Sequence, residues 1–198
     1  MSDRPVAAPR SRLSKQARHA QLLHVARQLI RDEGTDGLTL GRLAQRAGVA
    51  KPLVYDHFGT RAGVLSELYR EFDARQHEML DAALEGATPE LGVVAQVVAG
   101  AYIGCVLAEG RELADVVAAL TGSPTLDRLH QEADDAYIAK CRTALTPFSW
   151  TEPIGIADLR AIVGAADALA RAALTGGITA DQARSTLTRI IVAVIAGE

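Results

Sequence analysis

The short segment from Lys51 to Arg61 concentrates side chains that donate hydrogen bonds to anions. Lys51, Tyr55 and His57 lie within one stretch of seven residues, and Arg61 follows four residues later. An ammonium, a phenol, an imidazole and a guanidinium can all bind phosphate oxygens, and a lysine can also reach the edge of a base in the major groove. The segment therefore predicts contact with a nucleic acid.

Patterns that are typical of catalytic or metal sites are missing from the sequence. We find no paired carboxylates, zinc-ligand spacing, nucleophile elbow or glycine-rich phosphate loop. His77 with Asp81 and His130 with Asp134 are spaced four residues apart, as metal ligands on one helix face would be. Neither pair has a third ligand nearby, so we interpret both as solvated helix faces. The sequence predicts a protein that is not an enzyme and needs no metal or cofactor.

Charge is divided unevenly along the chain. Residues 1–63 contain 11 lysines and arginines against 5 acidic residues, a net charge of +6, whereas residues 64–198 have a net charge of −9. A basic head on an acidic body indicates that only the head meets a polyanion. The alternative is a basic tail alone, since five of these cations lie within the first 18 residues. A tail would leave the helices described below unexplained.

Two features bear on where the protein acts. Cys105 and Cys141 lie in apolar stretches without the spacing of a disulfide framework, so we expect reduced, buried thiols in a cytoplasmic protein. The N-terminal residues contain no apolar core typical of a signal peptide. The segment 91–108 carries no charge, but it contains Gln96 and is flanked by glutamates. We interpret it as a buried helix of a soluble bundle and not as a membrane span.

Nearly all of the chain has helical periodicity, which predicts an all-α fold. Residues 1–14 are expected to form a disordered basic tail. A first helix is predicted over 15–33, with Gly34 as its stop. Thr39 is placed to cap LGRLAQRA, which Gly48 ends, and KPLVYDHF follows with Pro52 in its first turn. A longer helix is expected from Arg61 to about residue 84.

The rest of the chain follows the same pattern. Helices are predicted near 90–108, 111–121, 125–145, 157–175 and 179–196. Thr179 and Gln182 have the spacing of a capping box for the last of them. We divide the chain into a head at 15–63 and a body at 64–198.

The two short helices joined by Gly48, Val49 and Ala50 form a helix-turn-helix pattern, in which the second helix is presented to the major groove. The run from Leu22 to Leu65 resembles the DNA-binding head of TetR-type transcriptional regulators. The matching residues are Leu22, Ala26, Gly34, Thr39, LAQRAGV at 43–49, Val54, Tyr55, His57, Phe58, Arg61 and Leu65. They cover about a fifth of the chain, and the remainder matches in helical character alone.

This resemblance implies a one-component, dimeric transcriptional repressor. Such a protein would bind a palindromic operator in double-stranded DNA through its three-helix head and would leave it when a small effector enters the body. Two other classes stay open from the residues alone. One is a helical bundle that has lost DNA binding, and the other is a nucleoid-type binder without sequence preference.

Seven residues of the head are predicted to contact DNA: Thr39, Lys51, Pro52, Leu53, Tyr55, His57 and Arg61. Arg61 opens a helix, so its charge and the helix dipole favour a phosphate. Tyr55 and His57 can donate hydrogen bonds to phosphate oxygens. Lys51 is the candidate for reading a base edge, in particular guanine O6/N7, although its long stem also reaches the backbone.

Each assignment has a plainer alternative. Tyr55 would be half-buried in the seam between helices, and His57 would be an ordinary exposed residue. Thr39 is expected to cap its helix, and the N-terminal amides of that helix would also bind a phosphate. Leu53 would contact the methyl group of a thymine. Gly41 and Leu53 stand where the family often has polar side chains, so readout is expected to depend on Lys51, DNA shape and the basic tail.

The family resemblance implies that the last two helices pair with those of a second subunit. The predicted interface residues are large and small apolar side chains on these helices: Leu159, Ile162, Ala166, Leu169, Leu187, Ile191 and Val194. The alternative is that both helices only complete the core of one protomer.

Helices between about 90 and 150 would hold the effector in this family. The candidate lining residues are Tyr102, Cys105, Tyr137, Phe148 and Trp150, and each of them has plain core packing as its alternative. Few charges are expected to point into this region, which predicts a small, mostly apolar or aromatic effector.

Overall fold

The computed structural model describes residues 13–121, 124–150 and 153–197. The described residues form nine α-helices and no strand, which confirms the all-α prediction. The helices are α1 (Lys15–Glu33), α2 (Leu40–Ala47), α3 (Lys51–Phe58), α4 (Arg61–Glu85), α5 (Leu91–Glu109), α6 (Arg111–Thr121), α7 (Pro124–Leu145), α8 (Ile156–Leu174) and α9 (Ala180–Ala196). The predicted disordered tail lies almost wholly outside the described residues. Ser14, its last residue, is described, and its hydroxyl oxygen accepts a hydrogen bond from the Ala17 amide at 3.1 Å.

The helix boundaries follow from local capping. Gly34, after α1, has a φ of 71°, a conformation that glycine adopts without steric cost. The hydroxyl oxygen of Thr39 accepts a hydrogen bond from the Arg42 amide at 3.1 Å, which satisfies one of the free N–H groups of α2. Thr179 and Gln182 form the reciprocal capping box predicted for α9. These predictions are confirmed.

The core of the head is continuous with part of the body. Leu22, Leu43 and Phe58 are buried in one cluster with Leu113 and Leu120 of α6. The helix α4 runs without a break across residue 63, where the sequence suggested a boundary. The division of the chain at residue 63 stays a prediction. A displacement of one end of α4 or α6 would be carried along the helix to its other end.

The helix α5 lies at the centre of the body. It is the one helix of the described chain whose length and hydropathy would suit a membrane span, and its most apolar stretch has a mean hydropathy of 2.0. Nevertheless it packs against α4, α8 and α9, and only Gly92, Gln96 and Ala108 are exposed along it. An apolar helix covered on most sides is the core helix of a bundle, as predicted.

Candidate nucleic-acid interface and ligand cavity

The helix α3 turns one face to the head core and the other to solvent. Val54 and Phe58 are buried, while Tyr55 is 54% exposed, so Tyr55 does not lie in the seam between helices. Of the predicted contacts on this helix, Lys51, Pro52 and Tyr55 are exposed, and Leu53 and His57 are half-buried. The exposed face therefore carries an ammonium and a phenol hydroxyl, both of which can donate hydrogen bonds to DNA.

The side chain of Lys51 lies over Gly41 of α2. A Cβ atom at Gly41 would be 3.5 Å from Cε and 3.8 Å from Nζ of Lys51, and 4.0 Å from the capping oxygen of Thr39. The ammonium thus sits beside the N-terminus of α2, where the helix dipole is positive. The absence of a side chain at Gly41 leaves the space that Lys51 occupies. The structure brings together Thr39 and Lys51, two predicted contacts from different helices.

Arg61 is half-buried, and two of its nitrogen atoms form hydrogen bonds inside the protein, so its contact with a phosphate stays a prediction. Its Nε donates a 3.0 Å hydrogen bond to the carbonyl of Leu38, and Nη2 donates one of 2.6 Å to the carbonyl of Thr35. Both acceptors belong to the connection between α1 and α2. The side chain therefore fixes this connection against the start of α4, because buried carbonyls need donors.

His57 packs against the beginning of α1. Its Nδ1 lies 3.3 Å from Nδ1 of His19, and the two ring centroids are 5.4 Å apart. Burial lowers the pKa of His57, and the nearby His19 and Lys15 lower it further. The imidazole is therefore held mainly neutral at pH 7, and it orders the contact between α3 and α1.

Half of the eight described lysines and arginines of the head are already paired with acidic side chains. Four arginines form ion pairs: Arg27 with Glu71, Arg31 with Glu112, Arg42 with Glu33, and Arg46 with Asp32 and Glu33. Within residues 13–63, Lys15, Arg18, Lys51 and Arg61 form no ion pair with an acidic residue, and of these Arg61 donates to two backbone carbonyls. Lys15 and Arg18 belong to the first predicted helix, and their spacing of three residues places them on one face of the first turn of α1. These cations are the described charges available to a polyanion.

A cavity of about 460 Å³ lies in the body among helices α4 to α8. Tyr102 and Tyr137 line it, as predicted, but Cys105 and Trp150 do not. Cys105 is 1% exposed within a core cluster, and Trp150 is 68% exposed at the surface. Phe148 is also absent from the wall, because it packs on the core cluster between α5 and α9.

Ten of the twenty residues that line the cavity carry a charged group or an aromatic ring, so the expectation of few charges there is wrong. Its carboxylates are Asp73, Asp115, Asp134 and Asp167, its basic side chains are His130 and Arg171, and its aromatic rings are Tyr69, Phe72, Tyr102 and Tyr137. These residues come from five helices. No local spacing in the sequence could have shown that they meet.

Hydrogen bonds link several of these groups. The hydroxyl of Tyr69 lies 2.7 Å from Nδ1 of His130, whose Nε2 is 3.8 Å from a carboxylate oxygen of Asp134. The hydroxyl of Tyr102 donates to the carboxylate of Asp167. Burial raises the pKa of Asp134, and the negative charge of Asp167 raises it further. The cavity thus holds carboxylates that are poorly compensated.

The structure places most of the residues predicted for the dimer interface in the core of one protomer, and the interface itself stays a prediction. Leu159, Ile162, Ala166, Leu187 and Ile191 are each at most 2% exposed in the single protomer, and Leu169 and Val194 pack partly on the same core. The large side chains of α8 and α9 therefore complete the core of one chain. Along the exposed side of α8 runs a stripe of small residues, and charged residues flank it: the small residues are Ala157, Ala161, Gly164 and Ala168, and the charged ones are Asp158, Arg160, Asp167 and Arg171.

The two histidine–aspartate pairs do not build a metal site. His77 lies 3.5 Å from Asp73 and not beside Asp81, which instead accepts a 2.6 Å hydrogen bond from Lys140. The described residues contain no group of three or more histidines, cysteines and acidic residues that could hold a metal ion.

Residues 22–68 match the model of the bacterial regulatory proteins of the tetR family. The chain is 35% identical over 57 residues to the tetracycline repressor protein class D of Escherichia coli and, equally, to that of class H from Photobacterium damsela subsp. piscicida. Each match covers 29% of this chain and 26% of the relative. The chain therefore matches the curated relatives over about a quarter of their length.

Similarity to solved structures extends over nearly the whole chain. A TetR-like transcriptional regulator from Rhodococcus sp. RHA1 superposes with a TM-score of 0.75 at 22% identity, covering 94% of this chain and 100% of that one. The fatty acid degradation regulator FadR from Bacillus halodurans gives a TM-score of 0.74 at 18% identity, covering 95% and 98%. At such low identity the likeness establishes the fold.

Proposed function

We propose that this chain, whose head matches the model of the bacterial regulatory proteins of the tetR family, is a transcriptional repressor that binds a palindromic operator as a homodimer and is released by a small-molecule effector. The observation that carries this proposal is the exposed face of α3. It presents Lys51 and Tyr55 on a helix-turn-helix whose remaining described cations are mostly paired with acids.

The geometry supports a division of labour on the DNA. Lys51 lies beside the N-terminus of α2, so we infer that it binds a phosphate together with the amides that Thr39 caps. Tyr55 stands free on the exposed face and would donate to a second phosphate or a base. Pro52, Leu53 and His57 shape and support this surface. Lys15 and Arg18 extend the positive charge along α1.

The small-residue face of α8 supports dimerisation through α8 and α9. Alanine and glycine let two helices approach closely, and Ala161, Gly164 and Ala168 form a stripe of small residues flanked by the charged Arg160, Asp167 and Arg171. An exposed stripe of small residues beside the last helix suits a second copy of the chain, as in the homodimers of the family. The side chains that the sequence predicted for the interface would then pack beneath it, in the core of each protomer.

The relatives are repressors and regulators, not enzymes, and the proposed role needs no catalysis. A regulator of this kind meets chromosomal DNA, so we expect it in the cytoplasm. The buried thiols of Cys105 and Cys141 are consistent with that compartment.

Selection of genomic fragments that the full-length protein retains, followed by gel-shift competition with unrelated DNA, tests the proposal. We expect a small set of fragments that share an inverted repeat and resist competition. Retention of every fragment with equal affinity would indicate a nucleoid-type binder. Failure to retain any fragment would indicate a helical bundle that has lost DNA binding.

A further inference from the structure

One polar side chain that lines the cavity, that of Gln76, is almost wholly buried. Gln76 is 6% exposed, and no described residue forms a hydrogen bond with its amide. The ring of Tyr137 also lines the cavity, whereas its hydroxyl is buried beside the thiol of Cys141. Leaving a buried amide unsatisfied is costly. The amide of Gln76 therefore indicates a cavity built to receive a molecule.

The charge of the cavity is negative. Four carboxylates line it against one guanidinium, that of Arg171, and one imidazole, that of His130. Within the described chain none of these carboxylates is ion-paired with a lysine or an arginine. Asp167 accepts a hydrogen bond from Tyr102, and the basic group nearest Asp134 is a histidine at 3.8 Å. A bound cation would supply the missing counter-charge.

The remaining surface is suited to a bulky apolar body. The rings of Tyr102 and Tyr137 meet edge to face with centroids 5.5 Å apart, and Tyr69 and Phe72 line the same space. The faces of aromatic rings attract cations, most strongly where water is excluded. Rings and carboxylates in one cavity therefore favour the same kind of ligand.

We propose that the effector is an organic cation with an aromatic or bulky apolar body, whose charge is held by Asp134 and Asp167 between the tyrosine rings. The inference rests on the proposed function, which assigns this cavity to an effector. A volume of about 460 Å³ is within the range of sites for drug-sized molecules. An anion of the same shape would meet like charges instead.

Tetraphenylphosphonium and tetraphenylborate test the proposal, because the two ions have nearly the same shape and opposite charge. Calorimetric titration of the full-length protein should show the cation binding at least about tenfold more tightly than the anion. Asp134→Asn and Asp167→Asn should each weaken cation binding by about tenfold. Asp135→Asn is the matched control, since Asp135 is the neighbour of Asp134 on α7 but pairs with Arg160 outside the cavity wall.

Equal or tighter binding of tetraphenylborate would overturn the ligand class. So would an Asp135→Asn variant that loses as much affinity as Asp134→Asn, or a folded protein that binds no cation up to about 1 mM. These results would leave the proposed function intact as long as the protein retains operator fragments. Loss of fragment binding with intact cation binding would instead contradict the regulator and keep the ligand class.

Discussion

The guanidinium of Arg61 donates a 2.6 Å hydrogen bond to the backbone carbonyl of Thr35, which joins the first residue of α4 to the turn after α1. Its second bond, to Leu38, anchors the residue just before the cap of α2. Arg61 therefore determines how the helix-turn-helix is seated on the long helix that leads into the body. Its guanidinium thus forms hydrogen bonds inside the protein.

Arg61→Ala should destabilise the fold and leave the electrostatics of DNA binding unchanged. Hydrogen bonds from a charged donor contribute about 1.5–3 kcal/mol, and the bonds to Leu38 and Thr35 would both be lost, although the carbonyl of Thr35 keeps the Leu38 amide as a donor. We expect the free energy of unfolding in urea to fall by about that amount. The salt dependence of operator binding, measured on folded protein, should keep its slope. A flatter slope at unchanged stability would return Arg61 to the phosphate.

Lys51→Ala should flatten the salt dependence of DNA binding. An ammonium on a phosphate contributes about 0.9 to the log–log slope, so a dimer should lose about two units. The base preference within each half-site should stay unchanged. Arg46→Ala is the control, because it removes the same charge from an arginine that is paired with Asp32. A relaxed preference at one base pair with an unaltered slope would mean that Lys51 reads a base edge.

Asp134→Asn should stabilise the protein at neutral pH. Burial raises the pKa of Asp134 above 3.8, the usual value for an aspartate, so the folded state disfavours the ionised carboxylate. This cost is fully present at pH 7 and disappears as pH falls through the raised pKa toward 3.8. The melting temperature of the variant should exceed that of the parent at pH 7, and the difference should shrink on acidification. Asp135→Asn, which breaks an exposed pair with Arg160, should give no gain. An Asp134→Asn protein that is less stable than the parent at pH 7 would contradict this account.

The helix boundaries could be predicted from the sequence because capping is local. Gly34, Thr39 and Gly48 act on amides and carbonyls within a turn of themselves. The direction in which a long side chain points is not determined locally, because it depends on how distant helices pack. Arg61 stands at a helix start in an electropositive head, and only the packing of α1 against α4 shows that two carbonyls lie within its reach.

The same reasoning applies to α8. This helix has alanine or glycine on both its buried and its exposed sides, so periodicity could not tell which face a partner would cover. Leu159 and Ile162 have large side chains and fill the protomer core, whereas Ala161 and Ala168 are exposed. The cavity was missed for a related reason, since Asp73, Asp134 and Asp167 lie on three different helices.

Ala168→Glu should convert the dimer to monomers. Ala168 is exposed in the protomer, so a glutamate there should not disturb the fold. In a close α8 interface the same carboxylate would be buried without a partner, at a cost of several kcal/mol. Sedimentation should show monomers that bind operator DNA weakly, because one head makes half the contacts. Ala83→Glu on the exposed face of α4 is the control and should remain dimeric. A tight Ala168→Glu dimer would exclude this face.

The helix α6 lies between the cavity and the head. Asp115 and Ala118 line the cavity and also a second hollow, which Thr35 and Arg61 line on the side of the head. One turn earlier, Glu112 accepts two hydrogen bonds from Arg31 of α1, at 2.7 and 3.0 Å. A ligand that displaces α6 would therefore move the head through this ion pair.

Tetraphenylphosphonium and operator DNA should consequently weaken each other's binding by the same factor, about 5–150-fold. Reciprocity follows from thermodynamic linkage, so the comparison needs DNA affinity by fluorescence anisotropy with saturating cation and cation affinity by calorimetry with saturating operator. Glu112→Gln should shrink the factor while the free protein still binds the cation, because the cavity wall is untouched. Asp167→Asn is the control for an effect of the cation on the DNA itself. At cation concentrations that leave the cavity of this variant empty, its affinity for the operator should be the same with and without the cation. Cation affinity that is identical with and without operator would rule out release by this route.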